Sequence, residues 1–464
     1  MNESPPHSAQ SRPGTGVKAR LGAQVGLFVD MFDVYLPVIV LGPALAYFVP
    51  QGMSESTSRI VAAAIFVATL LGRPVGALIF GHLADRHGRR RVTIVSLFGF
   101  GLCTLAIALL PGYGTLGLTA IVLLVALRFL DGVFLGGQYT AATPLALEQS
   151  QKSRRGFDGA VIMTGFPLAY CTIALLTFGL LLVVPVGGPD SPYVTWGWRI
   201  PFIIGAVLAL AWAVWYARNV HESEAWTNDK QKNPGRSPLA ELMRGGNLRG
   251  FLQVFVLMSG VWLAFNMIGA VLPGVLKTSG RLTSVESTLV LVIAYALLAA
   301  SYLGAGALSQ RIGRKTFLLG NGVLITVVAP VLFWLVASGR VHGAVPVGVV
   351  VVLLVLVVVS IYSVVSTYIV ERFHVGVRSS AYGLGYTAAV IIPSFYAFYQ
   401  EGLSQLMPYD MTPLVFLALG GCLVILGAVL GPETKHVDLG SASAGVEEAP
   451  PEGERDTASS SVTP

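Results

Sequence analysis

Two carboxylates stand in the run GLFVDMFDVYLP (26–37), which is otherwise almost wholly apolar. Asp30 and Asp33 are three positions apart, so on a helix they share one broad face. If that helix enters lipid near residue 22, a rise of about 1.5 Å per residue puts Asp30 roughly 12 Å deep and Asp33 roughly 16 Å deep. A charged Asp at the centre of a membrane helix costs about 2.5–3.5 kcal/mol on the insertion scale, so it must face a cavity or a partner. Cations at that depth are scarce. Arg73 and Arg128 are the candidates, and Arg128 reaches the middle of its own apolar run. Arginine keeps its proton, so in an Asp33–Arg128 pair the carboxylate is the group that switches. Protonating Asp33 would release Arg128, which is the chemistry of a proton-coupling device. A static ion pair that only orients two helices is the plainer alternative. Asp131, one turn below Arg128 on the same helix, is an alternative partner. Asp30 lies nearer the start of the run, where it either meets water in a structural role or joins the coupling.

A second set of polar and aromatic residues suits a ligand. Gln138 and Tyr139 follow Gly136 and Gly137, which allow close helix approach. Trp262 and Asn266, four apart, share a helix face, and Tyr362, Ser366 and Tyr386 sit in later apolar runs. Amide, hydroxyl and ring groups of this kind fit a small polar metabolite, although helix packing and interfacial belts account for Trp and Tyr equally well. The three cysteines, Cys103, Cys171 and Cys422, are scattered in apolar runs and read as packing. GRKT (313–316) lacks the order and the upstream strand of a phosphate-binding loop. No metal or nucleophile constellation appears, so neither an enzyme nor a cofactor is expected.

The elements that must position these groups are membrane helices. Of 464 residues, 54% are hydrophobic and 12% charged, against about 25% charged in a soluble domain. The mean hydropathy is +0.71. Apolar runs long enough to cross a core of about 30 Å recur along the chain. They place spans at 22–48, 57–82, 92–111, 116–148, 155–185, 198–219, 249–276, 287–309, 316–338, 345–370, 378–404 and 411–431. The first run is too long for a signal-peptide core and reads as a retained helix. Polar, Ser/Pro/Gly-rich tails at 1–21 and 432–464 read as disordered.

Most of the 30 Lys and Arg fall on one side if both termini are cytoplasmic. Arg86, Arg89, Arg90 and Arg91 follow span two; Lys152, Arg154 and Arg155 follow span four; Arg311, Arg314 and Lys315 follow span eight. The external side keeps Arg59, Lys277, Arg281 and Arg340. The net charge of +6 is therefore a positive-inside topology signal and not a nucleic-acid footprint.

The chain also repeats itself. GHLADRHGRRR (81–91) returns as GALSQRIGRKT (306–316), so that Arg86, Gly88 and Arg89 recur as Arg311, Gly313 and Arg314, each 225 positions later. Glu148 precedes Arg154 and Arg155 as Glu371 precedes Arg378, with an offset of 223 between the two acids. Two six-helix halves follow, 22–219 and 249–431, linked by a cytoplasmic loop at 220–248. Parallel repeats of this kind place a substrate site at the midplane between the halves. Gly88 and Gly313 permit tight turns. Asp85, Arg86, Arg89, Glu148, Arg154, Arg155, Arg311, Arg314, Glu371 and Arg378 are candidates to gate the cytoplasmic side.

At these residues the sequence resembles the major facilitator superfamily. GRPVGALIFGHLADRHGRRRV (72–92) resembles its loop signature, and RFLDGVFLGGQYTAATPLALEQSQKSRRG (128–156) the fourth-helix signature of its sugar-porter and metabolite:proton-symporter branches. ERFHVGVRSSAYGLGY (371–386), RNVHESEAW (218–226) and GPETKHVDL (431–439) resemble later elements. The resemblance spans about residues 22–439 and implies an all-α membrane protein of twelve helices in two pseudo-symmetric halves. It also implies an Asp–Arg pair between the first and fourth helices, at Asp33 and Arg128. Departures are Asp30 for a usual Glu, Asp131 for a common Gln, Gln138 for a frequent Glu, Gln310 for an acid and His374 for a frequent Pro.

The expectation is a multi-pass transporter of the cell inner (plasma) membrane, working by alternating access as a monomer in the lipid bilayer. It is expected to move a small polar metabolite, an organic acid by resemblance, together with protons. An uncoupled facilitator or exchanger for a sugar or other small metabolite is the alternative. A membrane sensor on the same frame would carry a long folded cytoplasmic domain.

Overall fold

The computed structural model describes residues 15–439 apart from 51, 88, 139–141, 185–186, 189, 220–237 and 375. Most of the expected linker and tails thus lies outside the described residues. Among the described residues, twelve helices are long and apolar enough to cross a membrane. The first six are α1 (Arg20–Leu41), α2 (Ser56–Phe80), α3 (Arg90–Ala108), α4 (Thr119–Gly137), α5 (Arg155–Val183) and α6 (Tyr193–Asn219). The second six are α7 (Gly245–Lys277), α8 (Ser284–Ile312), α9 (Arg314–Ala337), α10 (Ala344–Arg372), α11 (Arg378–Leu403) and α12 (Tyr409–Leu430). The expected fourth span, 116–148, is described as helix at Thr119–Gln138 and again at Ala142–Glu148, on either side of residues 139–141.

Each half packs on itself, α2 on α4 and α3 on α6 in the first, α7 and α9 on α12 in the second. The halves meet where α5 lies on α8 and α10, and where α2 runs beside α11 along its length. With lipid outside, no hydrophobic force drives helices together, so close backbone packing must hold them. The α2–α4 crossing shows how. Gly72 and Gly76 face Gly132 and Gly136, and a Cβ on any of the four would land on backbone of the opposing helix. The Thr69 hydroxyl donates to the Arg128 carbonyl across this crossing at 3.0 Å. The glycine spacing thus brings the stretch Thr69–Arg73 of α2 against the stretch Arg128–Gly136 of α4. Gly132→Val should push the helices apart and lower the stability of the detergent-purified protein by about 1–3 kcal/mol, read as a lower thermal midpoint.

The helices at the interface between halves are irregular. α1 widens into a π turn at Pro37–Leu41 and α7 into another at Met267–Val271, each in the first span of its half. α11 tightens to a 3₁₀ turn at Ala388–Val390. Such interruptions mark points where a helix bends. At the α8–α9 turn Gly313 has φ +101°, a conformation that side-chain-bearing residues rarely adopt, as the repeat motif predicts for that glycine.

Candidate functional site

Five charged residues, Asp30, Asp33, Arg73, Arg128 and Asp131, are no more than 2% exposed and lie within the first half. Arg128 donates from Nη1 to Asp33 Oδ2 at 3.0 Å and from Nη2 to the Asp33 carbonyl at 3.3 Å. The same Nη1 lies 3.1 Å from Asp131 Oδ2. The question of which acid holds Arg128 therefore resolves to both. Asp33 also accepts from the Thr104 hydroxyl of α3. Asp30 is not a water-exposed acid: Arg73 donates to it from Nη2 at 2.6 Å, and both side chains are buried. Depth along a helix says nothing about which neighbouring helix covers a residue. Arg73 is that cover.

Next to this cluster, α1 presents Leu27, Met31 and Tyr35, four apart, to a cavity between the halves. Met163 and Phe166 of α5, Trp262 and Phe265 of α7, Tyr362 of α10 and Tyr386 of α11 complete the lining. Six of the nine are aromatic and none is charged. Phe265 is the hub, with ring centroids 6.0 Å from Tyr35, 5.6 Å from Phe166, 5.9 Å from Trp262 and 5.3 Å from Tyr362. The Trp262 indole N–H is satisfied by the Tyr386 carbonyl at 3.0 Å, while the buried Tyr362 hydroxyl has no hydrogen-bond partner among the described residues. The cavity leaves about 10 Å³ for the centre of a water molecule, which is about one water.

Trp262, Tyr362 and Tyr386 thus line the cavity as expected from sequence. Asn266 does not. It donates to the Pro393 carbonyl at 2.9 Å and ties α7 to α11, because the α7 backbone turns at the π segment beginning one residue later. Ser366 lies behind the lining, donating to Met163 Sδ at 3.1 Å and accepting from Tyr382 at 3.2 Å. Tyr139 and the side chain of Gln138 lie outside the described residues. Leu27, Met31, Tyr35, Met163, Phe166 and Phe265 escaped the sequence reading. The four-residue spacing of 27, 31 and 35 beside Asp30 was the one available signal.

The cavity is closed on both sides. On the side where the described residues begin and end, Glu148 pairs with Arg378 at 2.6 Å and Arg155 with Glu371 at 3.4 Å. Both pairs cross between the halves, and each residue is offset by 223 from its counterpart, so the contact is reciprocal in the manner of a two-fold interface. Arg314 donates from Nε to the buried Glu371 at 3.2 Å, and Thr434 donates to it at 2.8 Å. Gln310 accepts from the Gly156 N–H at 3.0 Å and donates to the Lys152 carbonyl at 3.1 Å. A carboxylate at 310 would lack the donor for the second bond. Glu433 caps α9 through the N–H groups of Arg314 and Lys315, at 2.8 and 3.0 Å. Arg154 and Arg311, candidates from sequence, are exposed and lie outside this network; one residue of offset turns the Arg154 side chain away from the interface. Gly88 and the side chains of Asp85, Arg86 and Arg89 lie outside the described residues.

On the opposite side, Ser56 of α2 donates to Glu401 of α11 at 2.7 Å, and the Arg59 guanidinium stacks 4.0 Å over the Tyr409 ring. No repeated motif announces these contacts. Glu371→Gln should loosen the first closure by removing charge from a buried acceptor of two guanidiniums, where each charged hydrogen bond contributes about 1.5–3 kcal/mol. A Met163→Cys reporter in a background without native cysteines is then labelled by an impermeant thiol reagent about tenfold faster or more from that side.

A family model described as Major Facilitator Superfamily matches residues 25–397. The chain is 31% identical over 377 residues to the "Alpha-ketoglutarate permease" of Escherichia coli (strain K12), covering 80% of this chain and 83% of that one. It is 30% identical over 308 residues to a Staphylococcus aureus (strain MSSA476) relative named for proline/betaine transport, covering 64% and 62% respectively. Among solved structures, the proton:xylose symporter XylE bound to 6-bromo-6-deoxy-D-glucose superposes with a TM-score of 0.73 at 16% identity, over 92% of this chain and 98% of that one.

Proposed function

This chain belongs to the major facilitator superfamily of membrane transporters, and from that premise we propose that it is a proton-coupled symporter working by alternating access. The observation that carries this reading is the buried Asp33–Arg128–Asp131 group beside a cavity closed on both sides. Arg128 ties α1 to α4 through Asp33. A proton on the carboxylate weakens that tie at the edge of the cavity, so proton binding and helix rearrangement share one bond. The bundles 22–219 and 249–431 are the moving bodies, joined by the 220–248 link. Both termini are cytoplasmic, the membrane is the cell inner membrane, and the unit is a monomer.

The substrate is a small polar metabolite, and an organic acid is the leading class, supported by the relative named as an α-ketoglutarate permease. The lining itself carries no cation, so the acid would draw on Arg73, whose partner Asp30 precedes the lining residue Met31. A second reading has its own observation. An uncharged cage of six aromatic rings suits a quaternary ammonium group, and one relative is named for proline/betaine transport. Uptake of α-ketoglutarate, shikimate, proline and glycine betaine into proteoliposomes, with and without an inward proton gradient, tests both points. Accumulation that ignores the gradient would leave an uncoupled facilitator.

A further inference from the structure

The buried charges do not balance. Fully ionised, Asp30, Asp33 and Asp131 carry three negative charges against two positive charges on Arg73 and Arg128, and all five are sealed from solvent. An uncompensated charge in such surroundings is removed by protonation rather than kept. The three acids are not equally supported. Asp30 accepts a 2.6 Å bond from Arg73. Asp33 accepts from Thr104 and from Arg128, and its backbone takes a second guanidinium N–H. Asp131 is 0% exposed, and neither of its oxygens accepts a hydrogen bond among the described residues. Its one cationic contact is the Nη1 that Asp33 already holds.

We propose that Asp131 carries a proton in this closed form, while Asp33 stays ionised on the Nη1 of Arg128 that lies between them. The groups facing Asp131 are Arg128 on its own helix, Asp33 from α1, Arg73 from α2 and Cys103 from α3. Cys103 is a neutral thiol there and leaves the charge count unchanged. An O–H bond forms on the Asp131 carboxyl, the cluster becomes neutral, and Asp33 stays ionised as the tie to α1. Resting on the symport reading above, this makes Asp131 the residue where the coupling proton waits, and Asp33 the residue that transmits its arrival.

Infrared spectroscopy of the full-length protein in lipid, with no ligand added, tests the assignment. At neutral pH the wild type shows a protonated-carboxyl C=O stretch. Asp131→Asn loses that band, and Asp131→Glu shifts its frequency, while Asp33→Glu leaves it in place. Absence of the band in the wild type, its survival in Asp131→Asn, or a shift with Asp33→Glu and not with Asp131→Glu overturns the proposal. Asp131→Asn keeps the shape of the protonated acid, so it gives a folded reporter even where the longer Glu is not accepted. If uptake by the wild type ignores a proton gradient while the band remains and depends on Asp131, the symport reading falls and the proton on Asp131 stands.

Discussion

Asp33→Asn is expected to abolish accumulation against a gradient while counterflow continues at a rate close to that of the wild type. The amide keeps the size of the carboxylate: its oxygen can still accept from Arg128, and its NH2 can donate to the Thr104 hydroxyl, which has the Phe100 carbonyl as its own acceptor, so helix packing and the cavity are preserved. What it loses is charge. With Asp33 neutral, the remaining Asp30 and Asp131 balance Arg73 and Arg128, and the closed cluster no longer needs a proton. Substrate then equilibrates across the membrane and is not concentrated. Reconstituted uptake driven by an inward proton gradient, set beside exchange of preloaded substrate, separates the two activities. Concentrative uptake by Asp33→Asn would end the coupling role assigned to this residue.

Arg128→Leu is expected to be the most destabilising substitution in the first half. It strips the guanidinium from Asp33 and Asp131 together and leaves three buried acids with Arg73 alone. Removing one partner of a buried pair costs about 3–5 kcal/mol, and thermal unfolding in detergent should show a loss of that size. The triple variant Arg128→Leu/Asp33→Asn/Asp131→Asn should recover most of it, since no unmatched charge is left on that side of the cluster. Arg128→Lys should recover less, because an ammonium cannot reproduce the fork that reaches Asp33 Oδ2, the Asp33 carbonyl and Asp131 at once. Failure of the triple variant to regain stability would mean that Arg128 acts by packing rather than by charge.

What was legible in the sequence follows from what a sequence stores. The length of an apolar run is a one-dimensional property, so all twelve helices were visible, and a repeated motif carries its offset, so the two halves were too. The Asp33–Arg128 pair was reachable because depth along two helices can be counted from their ends, and there are few intramembrane cations to choose between. Partners fixed by rotation and crossing were not reachable in that way. Asp30 of α1 meets Arg73 of α2, and no count along α1 says which helix its face turns towards. The ring cage was hidden for another reason. Phe166 and Phe265 lie in apolar runs, where a cavity-facing ring and a lipid-facing ring look alike. Ser56 and Glu401 are 345 residues apart, with no motif to join them.

The bare glycine seam between α2 and α4 has a mechanical meaning. With backbone against backbone at Gly72, Gly76, Gly132 and Gly136, the two helices have little room to slide, and they behave as one stiff plank. That plank runs beside α11 for its whole length. At one end it carries Ser56 and Arg59, which latch onto Glu401 and Tyr409. Near its middle it carries Arg73 and Arg128. A plank pivoting about its centre moves its two ends in opposite senses, so lifting one latch presses the far end against α11. On the alternating-access reading proposed above, the stiffness of the seam would bar the two entrances from standing open together, before any charge at the pivot decides which way it tips.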